Sequence, residues 1–220
     1  MTITLTDDEK EKQWKATVET LQRFYSVIVA IALTSGLAKL IASLEDADSY
    51  LTDISLVALS IALLSTIIPF YHGMERHLYI THILQPKLGE GGRPIPLLVD
   101  ILAFILEGGI LFAMGRKLDQ PIVFLRLWTA LLIVDVIWTV IVWRVEKGIR
   151  PIWAGNNLVW LCIAWAAWLG WPWVVAKSGV SLLGEIPVMV WFIALLEIGR
   201  SVADYKANWA FYFPDGHRRA

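Results

Sequence analysis

Six long apolar stretches recur along this 220-residue chain, and they constrain its fold more than any other feature. They lie near residues 24–44, 54–70, 97–114, 122–143, 158–175 and 180–200. An α-helix rises about 1.5 Å per residue, so about 20 residues cross the hydrocarbon core of a bilayer, which is about 30 Å thick. The hydrophobic fraction of 57% agrees with a membrane protein, because a soluble domain of this size needs a more polar surface. The sequence therefore predicts an all-α integral membrane protein, a bundle of six transmembrane helices.

The lysines and arginines predict the orientation of this bundle. Most of the 19 lie in the N-terminal segment, in the loops after the second and fourth stretches, and at the C-terminal end. Because short cytoplasmic segments carry an excess of basic residues, we expect both termini in the cytoplasm of a multi-pass inner-membrane protein. Three regions follow from this assignment: a cytoplasmic or interfacial helical extension over 1–23, a six-span membrane domain over 24–204, and an aromatic and basic cytoplasmic tail over 205–220. The capping-box spacing of Thr6 and Glu9 predicts that the first helix begins well before the membrane.

Two carboxylates, Asp100 and Glu107, interrupt the third apolar stretch. They are seven residues apart, so a helix places both on one face. A charged carboxylate at the centre of a membrane helix costs roughly 2.5–3.5 kcal/mol, so both side chains are expected to face a partner or a cavity. Depth along the helix separates them, with Asp100 near the cytoplasmic surface and Glu107 near the midplane. Glu107 has no obvious partner at its own level.

Further polar residues lie in the cytoplasmic half of the predicted bundle, at the ends of the second, fourth, fifth and sixth spans. If their helix faces converge, they form an acidic pocket that opens to the cytoplasm and ends at Glu107. The simpler interpretation is a set of ion pairs that only hold the helices together. The candidate ligand-binding residues are Asp100, Glu75, Arg76, Asn157, Glu197 and Arg200.

The segment from His72 to His82 contains three of the four histidines. An α-helical projection places five residues on one third of the circumference and His77 elsewhere; the five are His72, Glu75, Arg76, Tyr79 and His82. His72 and Glu75 have the i, i+3 spacing by which one helix supplies two groups to a metal, so they are candidate metal ligands. The alternative is an amphipathic interfacial segment whose histidines face water. The sequence identifies no metal and no cofactor.

Small residues predict how the helices pack. Gly108, Gly109 and Gly115 on the third span permit a close approach of a neighbouring helix. The single cysteine, Cys162, excludes an intrachain disulfide, and its apolar surroundings predict a small buried hydrophobe.

Three functional hypotheses remain from the sequence. The first is a binding protein whose acidic pocket takes up a cation, a proton, or the head group of a lipid or small molecule. The second is a membrane-embedded enzyme that acts on a lipid or isoprenoid substrate by acid/base or metal-assisted chemistry, with Glu107, Asp135 and His72 as candidate catalytic residues. The third is a membrane subunit that docks a cytoplasmic partner or forms an oligomeric pore.

Known motifs do not decide among these hypotheses. The sequence contains no TVGYG filter, no HExxH pattern and no GxSxG pattern. The expected partners are the lipid bilayer, a small-molecule or lipid ligand, and further copies of the chain. Nothing in the net charge of −1 favours nucleic acid.

Overall fold

A computed structural model describes residues 6–45, 50–84, 94–145, 155–166 and 182–213. These residues form helices joined by short turns, and no strand occurs among them. The all-α prediction is therefore confirmed.

Seven helices and one π-helical segment make up the described part of the chain. They are α1 (Asp7–Glu45), α2 (Tyr50–Leu78) with its π-helical continuation (Tyr79–Leu84), α3 (Pro94–Arg116), α4 (Pro121–Val145), α5 (155–166), α6 (Leu182–Ala207) and α7 (Trp209–Tyr212).

Four of these helices are long and apolar enough to cross a membrane. They contain the segments Asp7–Ala42, Ser55–Ile83, Leu97–Arg116 and Pro121–Val142. The predicted fifth and sixth spans lie partly in 167–181, outside the described residues, so the count of six stays a prediction. The orientation also stays a prediction, and much of its basic charge lies in 85–93 and 146–154, which are likewise outside the described residues.

Helix α1 begins at the predicted capping box. The backbone N–H and the hydroxyl of Thr6 donate to Oε2 of Glu9 at 2.7 and 2.8 Å, and the N–H of Glu9 donates to the Thr6 hydroxyl at 3.4 Å. The helix has 39 residues, so it is about 58 Å long and exceeds the thickness of the hydrocarbon core. Helix α1 therefore begins 17 residues before the apolar stretch that starts near residue 24, and its position relative to the membrane stays a prediction.

The helices pack in a defined order: α1 lies against α3 and α2, α2 against α6, and α3 against α4. Two glycines allow the contact between α1 and α3. A Cβ atom on Gly115 would lie 2.6 Å from the carbonyl oxygen of Ala32, and one on Gly108 would lie 2.5 Å from Cγ2 of Ile28. Among the described residues, no atom lies within 4 Å of the same position on Gly109, so these residues make no close approach there.

The outer surface of the bundle is apolar. Large aliphatic side chains face outward on every long helix, for example Val27, Leu64, Leu106, Ile137 and Leu195. Cys162 is also exposed, so the expectation that it is buried was wrong. The physical reason is that a membrane protein meets lipid where a soluble protein meets water, and an apolar residue is therefore equally suited to the outside and to the core.

Candidate functional site

Asp100 is the centre of a buried polar cluster that joins α2, α3 and α4. Its Oδ2 atom lies 3.1 Å from Nε2 of His77 and 2.7 Å from Nε2 of His82. The indole N–H of Trp138 donates to the other carboxylate oxygen, Oδ1, at 2.8 Å. Asp100 itself is 0% exposed, so the prediction that this carboxylate faces the interior is confirmed. We call His77, His82 and Asp100 the His-Asp cluster.

The π-helical turn after α2 explains why both histidines reach the same carboxylate. On an α-helix, residues five apart point about 140° away from each other. In a π-helix the hydrogen bonds run from i to i+5, so residues five apart lie over one another. The predicted separation of His77 from His82 was therefore wrong. The projection assumed an α-helical period through Tyr79–Leu84, which is π-helical.

A second polar cluster surrounds Asp204 near the end of α6. The side-chain amides of Asn156 and Asn208 donate to Oδ1 of Asp204 at 3.2 and 2.8 Å. The hydroxyl of Tyr212 donates to the other oxygen, Oδ2. Tyr212 lies beyond the predicted sixth span, where its burial and then the negative charge of Asp204 raise its pKa well above the usual value. The phenol is thus held in its protonated, donating form.

Two further carboxylates have partners of their own. The amide of Asn157 donates to Asp135. Glu197 accepts the Nε–H of Arg200, which lies 3.2 Å from both of its oxygens, and it also accepts the hydroxyl of Thr66 at 2.5 Å. All five residues are buried.

Glu107 differs from these carboxylates because its Oε1 atom has no hydrogen-bond partner among the described residues. The side chain is only 2% exposed and faces a cavity between α2, α3, α4, α5 and α6. Arg200 also lines this cavity, and its Nη2 atom likewise has no hydrogen-bond partner in the described part of the chain. Two residues of opposite formal charge therefore line the same cavity, and each has a buried atom without a hydrogen-bond partner among the described residues.

This cavity is small and has mixed polar and aromatic walls. It offers about 30 Å³ to water-sized molecules, which is room for about two of them. Its lining includes five polar side chains and four aromatic ones: Glu107, Asp135, Asn157, Arg200, Asp204, Phe70, Phe104, Trp138 and Tyr212. We call it the acidic cavity.

The structure thus brings together Glu107, Asp135, Asn157 and Arg200, four of the residues selected from the sequence. Glu197 does not line the acidic cavity itself, but it accepts a hydrogen bond from Arg200, which does. Asp100 belongs to the neighbouring His-Asp cluster, and the two sites share Trp138.

The other selected residues lie toward the end of α2 and have separate partners. His72 lies 3.2 Å from the hydroxyl of Tyr205, and its ring packs against Tyr212 with centroids 4.9 Å apart. Glu75 accepts the hydroxyl of Tyr71 at 2.7 Å. Arg76 donates to the backbone oxygen of Phe211 at 2.9 Å. His72 and Glu75 therefore bond to different residues in this structure.

Sequence reasoning missed three participants: His77, Trp138 and Tyr212. Trp138 lies three residues after Asp135 on α4, a spacing that could have placed it beside the pocket. Tyr212 carries no comparable signal, because it reaches Asp204 only through the way α7 follows α6.

Comparison with known proteins does not assign this chain to a family. No protein-family model matches this chain, and no curated protein or solved structure matches it.

Proposed function

We propose that this membrane protein binds a small cation in the acidic cavity, with Glu107 as the principal ligand. The observation that carries the proposal is Glu107, which lines a cavity large enough for a small ion and whose buried Oε1 atom lacks a hydrogen-bond partner among the described residues. A buried carboxylate without a partner is costly, and a cation that binds it removes this cost.

The charge balance around the cavity supports a cationic ligand. Glu107, Asp135 and Asp204 line the space together with one guanidinium, that of Arg200. Arg200 is already bonded to a fourth carboxylate, Glu197. Among the described residues, carboxylates therefore exceed the guanidinium groups of this buried region, where low polarity strengthens the attraction for a positive charge. Either a bound cation or a bound proton offsets the excess.

The walls favour an ammonium group over a strongly hydrated metal ion. Rings of Phe70, Phe104, Trp138 and Tyr212 line the cavity beside the carboxylates. Aromatic faces attract ammonium groups, and an ammonium ion has about the size of a water molecule. We therefore assign the ligand to the ammonium class, either the free ion or the charged end of a primary amine.

The arrangement is unlike that of a purely structural polar core. A subunit whose polar residues only lock the helices together requires Glu107 to be fully hydrogen-bonded in a dry interior. Instead, Glu107 and Arg200 line one cavity, and each has a buried atom without a hydrogen-bond partner among the described residues. This contrast supports ligand binding.

We further propose that the ligand enters from the cytoplasm of an inner-membrane protein whose two termini are cytoplasmic. The distribution of lysine and arginine supports this orientation. In that orientation, Asn157, Arg200 and Asp204 occupy the cytoplasmic half, and Glu107 lies deeper.

Thermal unfolding of the purified protein in detergent tests the proposal. Ammonium chloride and methylammonium chloride are compared with sodium chloride at equal ionic strength. A ligand at 100 times its Kd stabilises the folded state by about 2.7 kcal/mol, so the transition temperature rises with ligand concentration. We expect this rise for both ammonium salts and little for sodium. Equal effects of all three salts would contradict the proposal, and an effect of methylammonium alone would identify an amine as the ligand.

A further inference from the structure

We infer that the His-Asp cluster is a binding site for one divalent transition-metal ion, separate from the acidic cavity. Three potential ligand atoms, one from each of His77, His82 and Asp100, lie within 4.8 Å of one another. The three residues come from the end of α2, its π-helical continuation and α3.

The distances between these atoms are close to those between the ligand atoms of one metal ion, but slightly shorter. Bonds from zinc to imidazole nitrogen or carboxylate oxygen are about 2.0–2.2 Å, so a tetrahedral ion keeps its ligand atoms about 3.3–3.5 Å apart. Oδ2 of Asp100 lies 3.1 Å from the ring nitrogen of His77 and 2.7 Å from that of His82. These two distances are about 0.2 and 0.6 Å shorter than the lower limit of that separation, so the side chains must move apart by about these amounts to admit an ion.

The types of ligand in the His-Asp cluster also fit a divalent transition-metal ion. Two imidazoles and one carboxylate bind Zn²⁺ in hydrolytic enzymes and Fe²⁺ in non-haem oxygenases. Such a set leaves a coordination position for water or for a group of a substrate. Calcium and magnesium prefer oxygen ligands, so two histidines argue against them.

Neighbouring residues orient the ligands as outer partners of metal sites do. The indole N–H of Trp138 binds Oδ1 of Asp100 at 2.8 Å and leaves Oδ2 facing the two imidazoles. Nδ1 of His77 lies 3.4 Å from the hydroxyl of Thr81. Trp14 donates to the backbone oxygen of His82 at 2.9 Å, which ties the π-helical turn to α1.

Burial makes an ordinary interfacial role unsuitable for these histidines. His77 and His82 are 2% and 4% exposed, and Asp100 is 0% exposed. The competing explanation is a hydrogen-bonded cluster in which both imidazoles donate to the carboxylate. A metal titration separates the two explanations, because a hydrogen-bonded cluster binds no stoichiometric metal.

The experiment uses the full chain without an affinity tag, treated with chelator and then loaded with Zn²⁺ or Co²⁺. We expect about one Zn²⁺ per chain by elemental analysis, and a Co²⁺ absorption spectrum of four-coordinate type. H77Q, H82Q and D100N each remove one ligand. They should weaken Zn²⁺ affinity by at least about 100-fold, since loss of an outer partner alone costs about 10–100-fold. W138F, which removes such a partner, should fall within that smaller range.

The matched control is H72Q, which removes a histidine of α2 that bonds to Tyr205 and lies outside the His-Asp cluster. It should bind Zn²⁺ as the wild type does. Wild-type protein that binds no stoichiometric Zn²⁺ or Co²⁺ would overturn the inference, whatever the variants do. Equal losses in H72Q and H82Q would overturn it as well. These outcomes are independent of ammonium binding, because they do not involve Glu107.

Discussion

His82 and Asp100 are 18 residues apart in the chain, yet Nε2 of His82 lies 2.7 Å from Oδ2 of Asp100 in the interior of the bundle. The π-helical turn brings His82 to the same carboxylate oxygen that His77 contacts. The indole N–H of Trp138 donates to the other oxygen, Oδ1. A buried carboxylate is thus surrounded by three polar groups. Glu107, seven residues farther along the same helix, has an oxygen without such a partner among the described residues. This difference separates the two sites of the protein.

Removing the Tyr212 hydroxyl should destabilise the junction of α6 and α7. Tyr212 donates to Asp204, and a hydrogen bond to a charged group contributes about 1.5–3 kcal/mol. Y212F should therefore lower the free energy of unfolding by about that amount, measured by chemical denaturation in detergent. Y79F, which alters an exposed tyrosine, is the control and should unfold like the wild type.

The hydrogen bond from Tyr212 to Asp204 also predicts that the stability of the protein changes at alkaline pH. Burial and then the negative charge of Asp204 raise the pKa of Tyr212 in the folded protein, whereas a tyrosine in the unfolded chain has a pKa of about 10. Above that pH the folded state binds more protons than the unfolded state, so stability falls as pH rises. The difference between wild type and Y212F should shrink above about pH 10. A constant difference up to the highest pH at which the protein stays folded would contradict this assignment.

Arg200 and Glu197 form a buried ion pair whose two members should be strongly coupled. Removing one member of such a pair costs about 3–5 kcal/mol, because the other charge remains buried. R200Q and E197Q should each destabilise the protein by about this amount. The double variant should lose clearly less than the two single losses combined. Additive losses in a double-mutant cycle would show that the pair is not energetically coupled.

Two glycines of α3, Gly109 and Gly115, test the packing against α1. G115A should destabilise by about 1–3 kcal/mol, because the new methyl group meets the backbone of α1 at 2.6 Å. G109A is the matched control and should be neutral or stabilising by up to about 1 kcal/mol, since no atom of the described residues lies within 4 Å of the new methyl group and alanine favours helix. Thermal unfolding measures both. Equal effects of the two substitutions would contradict the close approach of α1 and α3.

The proposed orientation can be tested without knowledge of the ligand. A green fluorescent protein fused to the C-terminus folds in the bacterial cytoplasm, whereas an alkaline phosphatase fusion is active only outside it. We expect fluorescence from the first fusion and no phosphatase activity from the second. The opposite pair of results would place the C-terminus outside the cytoplasm.

The fold class and the burial of two carboxylates followed from the sequence for a simple physical reason. Long apolar runs require helices in a membrane, and a carboxylate within such a run must turn away from lipid. Asp100 and Glu107 obey this rule. The capping box at Thr6 and Glu9 was equally predictable, because it is a local interaction within one helical turn.

The details of the two sites depended on features that no local pattern encodes. The histidines converge only because the chain changes from α-helical to π-helical geometry after Leu78. Tyr212 reaches Asp204 through the way α7 follows α6. Gly109 and Gly108 are adjacent in sequence, yet only Gly108 touches α1. Each case depends on tertiary placement, which an idealised helical projection does not contain.

The proposal that Glu107 binds a small cation is tested most directly by calorimetric titration of methylammonium into the wild type, E107Q and E45Q. The background is sodium chloride at fixed ionic strength. E45Q makes the same chemical change at an exposed position at the end of α1. We predict one saturable site per chain in the wild type and in E45Q, and no saturable binding to E107Q. The fold of E107Q should be intact, because the substitution removes a buried charge whose Oε1 has no hydrogen-bond partner among the described residues. Binding to folded E107Q with wild-type affinity would contradict the proposal.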